Sequence, residues 1–318
     1  MTFVAMKEPA REIAPGSVPA MLAKAFRAAS RNPRADLRPD LDLPLVVREG
    51  AVDPRNVQAF QSLTRDRTFE GAVPPGYLFR LAFPNIAAIV VDEKFPLPAF
   101  GTLHKDNVLT IKKPVRPDPD AIMRVSTRLR SFEQADTKLN MDLATDFSID
   151  GDQVAAMTSI ITSLNRPRLK GSASQQPPSP GEDWLKVAEI DLPVTLGWSF
   201  ARVSDDWNLH HVPYMGYLTG LGALIKNPAR MPREFERHTI LQGACSSSMA
   251  VGALPCHPMQ KDGRGTLQTS YLAPVPLPSK QEVWTRQDGQ AVDFALRDPR
   301  QNRRVLVQGR ISGPSINS

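Results

Sequence analysis

Between Phe200 and His211 the chain reads FARVSDDWNLHH, and three of its side chains have the makings of a water-activating site. Asp206 and His211 stand five residues apart, so a tight turn can bring a carboxylate and an imidazole onto one water molecule. Between them, Asn208 offers an amide that can hold whatever the water attacks. Such a pair suits general acid–base work, in which one group takes a proton from water and the other delivers one. Further along, Ile240–Ala250 (ILQGACSSSMA) reads as an apolar helix opened by Gly243. A helix start leaves backbone N–H groups unspent, and these can stabilise a developing oxyanion. A glycine there lets a ligand approach the backbone closely, and Ser246, one turn on, would line the pocket.

Each of these residues also has a plainer role open to it. Asp206 can cap a following helix, and a lone histidine such as His211 is more often structural. His210, His211 and Asp206 could ligate a metal, but no further Cys, His or Glu stands at suitable spacing, so no metal site is expected. Ser246, Ser247 and Ser248 lack a G-x-S-x-G elbow, and Cys245 belongs to the apolar helix, so neither is read as a nucleophile. His104 is expected to support the first half structurally, while His238 and His257 have no partner in sequence. What singles out the segment is the order: aromatic, aliphatic, Ser, Asp, Asn, His, then a glycine-initiated apolar helix.

The elements that must position these groups fall into two similar sets. Val18–Arg31 has helical apolar spacing and suggests a surface helix or N-terminal arm, followed by a loop over 32–40. Tyr77–Val91 (YLFRLAFPNIAAIVV) is an apolar helix bent or started by Pro84. Met123, Val125, Thr127 and Leu129 alternate with polar residues, as do Leu139, Met141 and Leu143, which predicts half-buried strands. Asp150-Gly151 signals a tight hairpin, and Val154–Leu164 returns as a strand. Residues 170–182 (KGSASQQPPSPGE) read as a linker. Beyond it a helix over Cys245–Leu254 precedes strands near 265–273, 281–287 and 291–297, with a hairpin at Asp288-Gly289 and a closing strand Val305–Ile311. The expected organisation is an extension (1–70), a first unit (71–169), a linker (170–183) and a second unit (184–318). The first unit lacks any Asp-x-Asn-x-x-His and is expected to be non-catalytic.

These residues resemble the hydratase-2 motif of the MaoC-like enoyl-CoA hydratases and dehydratases. That motif runs aromatic, spacer, aliphatic, Ser-Gly-Asp-x-Asn-Pro-aliphatic-His, and Phe200, Val203, Ser204, Asp206, Asn208 and His211 fit it. Asp205 stands where the family has glycine, Leu209 where it has proline and His210 where it has an aliphatic residue. The family's later His-Gly pair appears as Gln242-Gly243, after a long connection. The resemblance covers most of 70–312. It implies an α+β double hot-dog fold, two curled antiparallel sheets each wrapped around a central helix. It also implies reversible addition of water to a trans-2-enoyl-CoA, giving (R)-3-hydroxyacyl-CoA, with coenzyme A entering as part of the substrate and no further cofactor. Asp206 and His211 would then be catalytic, with Asn208, Gly243 and Ser246 contacting the substrate. The degenerate first half would widen an acyl tunnel, which suits a bulky or long acyl chain on coenzyme A or acyl carrier protein. A catalytically silent thioester-binding protein is the competing reading, motivated by the departures. Of these Asp205 is the most troubling, a second carboxylate for which Arg202 is the expected counter-charge. A hot-dog thioesterase is disfavoured because the Gly243 helix carries no carboxylate.

Composition frames these readings. The 318 residues, 41% hydrophobic and 23% charged, are ordinary for a globular chain, and 30 prolines favour short elements and loops. A net charge of +6 suits an anionic ligand such as coenzyme A, and is too dispersed to indicate nucleic acid. Arg303-Arg304 and the set Arg230, Arg233 and Arg237 are its only clusters. Two cysteines without metal-site spacing fit a reducing, cytoplasmic setting. No apolar run is long enough to span a bilayer, and the charged N-terminus is unlike a secretory signal. A homodimer is compatible with all of this.

Overall fold

The computed structural model describes residues 2–9, 11–28, 41–66, 71–95, 97, 99, 102–134, 139–163, 183–208, 211, 239–301 and 303–314. The expected linker over 170–182, and with it Leu209, His210, His238 and the arginines at 230, 233 and 237, lies outside them.

The first half comprises β1 (Thr2–Ala5), β2 (Glu12–Ile13), α1 (Val18–Ala28), β3 (Leu45–Val52), α2 (Pro54–Thr64), α3 (Pro75–Val91), β4 (Thr102–Ile111), β5 (Asp118–Gln134), β6 (Leu139–Ile149) and β7 (Asp152–Ser163). The second comprises β8 (Leu185–Leu192), α4 (Leu196–Ser204), β9 (Thr239–Leu241), α5 (Gly243–Gly252), β10 (Gly265–Tyr271), β11 (Val275–Leu277), β12 (Ser279–Asp288), β13 (Ala291–Asp298) and β14 (Arg304–Ser312).

Among the described residues one twelve-stranded sheet runs β2-β3-β5-β6-β7-β4-β10-β14-β13-β12-β8, with β1 added beside β5. From the seam outward the order is mirrored: β4, β7, β6, β5, β3 on one side and β10, β14, β13, β12, β8 on the other. The seam is the antiparallel pair β4–β10, in register from Gly265 opposite Ile111 to Ser270 opposite Asp106. The alternation read in sequence is realised: Leu139, Met141, Leu143 and Phe147 of β6 are buried in turn. Asp150 and Gly151 both take positive φ (52° and 84°), as a two-residue hairpin of this hand requires.

Each half wraps a helix. α3 is apolar on nearly every face, and the helix runs through Pro84. Asn85, fully buried, donates through its side-chain amide to the carbonyls of Val46 (3.0 Å) and Val125 (2.9 Å), pinning the helix to β3 and β5. In the second half the helix begins at Gly243 and ends at Gly252, slightly earlier than the expected Cys245–Leu254.

Residues 1–70 do more than extend the fold. β3 pairs along most of its length with β5, and α2 packs against α4 and α5. Sequence reading missed this because β3 (LVVREGAV) interrupts its apolar run with Arg48, Glu49 and Gly50, which lie at the sheet margin. Phe60 of α2 meets Phe200 of α4 at 5.8 Å between ring centroids, both buried, so the two halves share one core.

Candidate active site

The segment carrying Asp206 enters the site from a helix. α4 ends at Ser204, and Asp205 follows in the left-handed region (φ 60°) with its N–H bonded to the Ala201 carbonyl at 3.0 Å. This is the position where the MaoC-like motif has glycine, and the positive φ is the physical reason; aspartate is among the few residues that tolerate it. The Ser204 hydroxyl then accepts the Asp206 N–H at 3.2 Å, and Asp206 Oδ1 accepts the Asn208 N–H at 3.3 Å. Asp206 therefore caps the turn that runs on to Asn208. Trp207 lies edge-on to Trp198 of α4, 5.5 Å between centroids, and His211 N–H donates to the Asn208 carbonyl at 2.8 Å.

The structure brings Asp206 and His211 together. Oδ2 of Asp206 lies 3.7 Å from Nε2 of His211, with both side chains about seven-eighths buried. That separation is too long for a direct hydrogen bond and leaves one water within reach of both. His211 Nδ1 is 2.8 Å from the Ile240 carbonyl, which can only accept. The neutral ring consequently carries its proton on Nδ1 and presents the Nε2 lone pair to Asp206. Burial pushes the Asp206 carboxyl above its ordinary pKa, with His211 and the Asn208 N–H pulling the other way.

Gln242, which stands where the family has histidine, is buried and structural in its contacts. Its Nε2 donates to the carbonyls of Gly197 (2.9 Å) and Asp206 (3.4 Å), so it ties the start of α5 to the first turn of α4 and to the Asp206 turn. Gly197 and the bridging contacts of Gln242 were missed in sequence. A Cβ on Gly197 would come within 2.4 Å of the His211 carbonyl oxygen, so only glycine lets α4 sit against that residue. Gly243 is the first residue of α5, and its N–H has no acceptor within the helix ladder. A Cβ there would press on the Tyr271 ring at 2.9 Å, a packing reason for glycine alongside any chemical one. Ser246 is buried one turn on, its hydroxyl donating to the Gly243 carbonyl at 2.8 Å; its proton is committed to the helix. Cys245 is buried, and desolvation pushes its thiol pKa up, away from nucleophilic use. His104 packs between Phe79 and Tyr271, each 4.9 Å away, at the seam between the halves.

The counter-charge of Asp205 differs from the expectation. Arg202 is exposed, whereas Arg80 of α3, a residue of the first half, places Nη2 3.8 Å from Asp205 Oδ2.

A second feature also escaped sequence reading. The first half contains Phe60, Leu63, Thr64, Arg65 and Asp66 at the spacing of Phe200, Val203, Ser204, Asp205 and Asp206. The geometry matches too: Arg65 is left-handed (φ 57°) and the Thr64 hydroxyl accepts the Asp66 N–H at 3.4 Å. Five residues past Asp66, in place of histidine, stands Gly71.

Two central helices under one mirrored sheet define the class by its architecture: a double hot-dog fold. Over 214 residues the chain is 28% identical to 3-hydroxyacyl-thioester dehydratase X of Mycobacterium tuberculosis, covering 66% of this chain and 74% of that protein. The crystal structure of HtdX from the same organism superposes with a TM-score of 0.65 at 21% identity, over 85% of this chain and 100% of that one. A MaoC-like dehydratase from Phytophthora capsici follows at 0.61 and 18% identity, over 86% and 97%. A conserved hypothetical protein of Mycobacterium tuberculosis with a double hotdog fold gives 0.50 at 10% identity, over 84% and 93%. No family model matches the sequence. Among the described residues no helix is long and apolar enough to cross a membrane.

Proposed function

We propose that the protein is an acyl-thioester hydratase/dehydratase, adding water reversibly to a trans-2-enoyl thioester to give the (R)-3-hydroxyacyl thioester. The observation that carries the assignment of the site is the buried Asp206–His211 pair, 3.7 Å apart, with the histidine tautomer set by the Ile240 carbonyl. The dehydratase of 28% identity supports the reaction class.

In the hydration direction His211 Nε2 takes a proton from the water as its oxygen attacks the β-carbon. The Asp206 carboxyl, kept protonated more readily by its burial, delivers a proton to the α-carbon. The proton gained by His211 then passes to Asp206 through water and resets the pair. As the β-carbon is attacked, the thioester oxygen gains enolate charge. Gly243 N–H, at the positive end of α5, is the donor for that oxygen. Asn208 orients the water or the acyl chain. Ser246 shapes the pocket wall from behind Gly243.

We assign the carrier as coenzyme A, which the net charge of +6 favours through its phosphates. The reaction belongs in the cytoplasm, where Cys245 and Cys256 remain free thiols. No cofactor is needed by these steps. Two departures from the family motif that motivate a silent binding protein have structural accommodation here: Asp205 suits its backbone, and Gln242 bridges Gly197 and Asp206.

The test is loss of enoyl absorbance with a panel of trans-2-enoyl thioesters of increasing chain length, each on coenzyme A and on acyl carrier protein, with chiral analysis of the product. Turnover to the (R)-alcohol, abolished by His211→Ala in a folded protein, is expected. Tight binding of every thioester with no turnover in the parent would establish the silent reading.

A further inference from the structure

The turn that delivers Asp206 is held from the opposite half of the molecule. Arg80 lies on α3, four residues past Gly76, and its side chain is only 11% exposed. Its Nε donates to the Val203 carbonyl at 2.6 Å. That carbonyl belongs to the last turn of α4, where the left-handed residue that follows ends the helix and leaves terminal carbonyls to be satisfied from outside. A cation at this end also opposes the negative pole of the helix. Nη2 of the same guanidinium faces Asp205 Oδ2 at 3.8 Å, and Nη1 reaches the Tyr77 hydroxyl at 3.4 Å. The Tyr77 ring, fully buried, lies 5.3 Å beneath the guanidinium carbon and fixes its plane. One side chain thus engages both the residue before Ser204 and the residue after it.

The surroundings leave Asp205 dependent on this contact. Its carboxylate is one-third exposed, toward an open cavity of about 350 Å³ lined also by Arg48, Glu49 and Pro84. Arg48, on β3, is within electrostatic reach of both Asp205 and Arg80; burial and Arg80 hold its pKa down, while Asp205 raises it. Two cations of the first half therefore surround one anion of the catalytic turn, and Arg80 alone of the two also grips the helix end. The other half-turn has no such arrangement to make, because its left-handed residue is Arg65.

We propose that Arg80 is a positioning residue for the reaction: it clamps the Val203 carbonyl and Asp205, and so sets where the non-catalytic half lets Asp206 stand relative to His211. The proposal rests on Asp206 and His211 being the catalytic pair. Asp205 is the anion that this clamp requires. A glycine there would keep the backbone shape but leave the clamp only the Val203 carbonyl, and the aspartate without Arg80 would have Arg48 alone as counter-charge beside Asp206.

The experiment measures kcat, KM and melting temperature for Arg80→Met, Arg80→Lys and the double variant Arg80→Met with Asp205→Gly, with Asp206→Asn run in parallel. Misplacing a catalytic group by about an ångström costs on the order of 100-fold. Arg80→Met should accordingly lower kcat by roughly 10- to 100-fold with KM within about twofold, at temperatures well below melting. Arg80→Lys, which keeps the charge but not the two-pronged reach, should fall between it and the parent. Removing the stranded carboxylate in the double variant should recover part of the lost kcat. Parental kcat in Arg80→Met overturns the proposal, as does a double variant no faster than Arg80→Met. If Arg80→Met does not fold, Arg80→Lys decides: a kcat equal to the parent overturns the clamp, and a reduced kcat at unchanged KM supports it. Activity surviving in Asp206→Asn would instead reject the assignment of the catalytic pair, whatever Arg80 does.

Discussion

The turns at Thr64–Asp66 and Ser204–Asp206 share a helix end, a left-handed residue, a hydroxyl accepting the next but one N–H and a buried aspartate, yet their carboxylates face different company. Asp206 has His211 at 3.7 Å and the Asn208 N–H on its other oxygen. Asp66 is buried with neither oxygen hydrogen-bonded among the described residues, and desolvation pushes its pKa up to about 7. The lesson is that the turn is a scaffold for placing a carboxyl group inside the protein. On the proposed function, a second residue five positions on, histidine in one turn and glycine in the other, decides whether that carboxyl does chemistry.

The sharpest way to break the comparison is to make the Asp206 turn like the Asp66 one. His211→Gly should lower kcat by about 1,000-fold, the scale of a lost acid–base partner, as measured by enoyl-CoA hydration. A smaller effect, on stability, is expected at the Asp66 turn. Asp66 has a folded pKa raised to about 7 from 3.8, so its protonated form is favoured in the native state. The associated stability is complete below pH about 4 and is lost as pH rises through about 7, with a ceiling of roughly 4 kcal/mol. Thermal melts of the parent and Asp66→Asn should therefore diverge in the variant's favour between pH 4 and 8, without change in kcat.

Next in size are two glycines that admit a neighbour's backbone. A Cβ on Gly252 of α5 would lie 2.6 Å from the Thr64 carbonyl oxygen, and one on Gly197 would lie 2.4 Å from that of His211. Each alanine variant should cost about 1–3 kcal/mol by denaturant titration, as overpacking does. Only Gly197→Ala should also reduce kcat in the folded protein. Smallest are Ser204→Ala and Thr64→Ala, each removing one hydrogen bond to an aspartate N–H, worth about 1 kcal/mol. The serine variant should slow turnover; the threonine variant should not.

How much of this was visible in the sequence follows from what each feature depends on. The strands of β5 and β6 announce themselves by two-residue alternation, and the Asp150-Gly151 hairpin by residues that accept positive φ, whereas β13 is buried at every position. That Asp206 and His211 stand together was legible because their types and spacing suit a tight turn, and the structure places them 3.7 Å apart. The bridging role of Gln242 and the place of Gly197 were not, since a bridging amide and a close backbone approach leave no mark until the chain is folded. Arg80 lies 123 positions from the carbonyl it holds, and no local pattern links them. The Asp66 turn was hidden for another reason. Its hydroxyl is threonine, its left-handed residue is arginine and its histidine is gone, so only the matching backbone exposes the kinship.

The most direct measurement is side-by-side kcat for trans-2-enoyl-CoA hydration by Asp206→Asn and Asp66→Asn. Loss of about three orders of magnitude in the first, with the second indistinguishable from the parent, is the predicted result. Comparable turnover in both variants, with both folded, would contradict the assignment of catalysis to the second half.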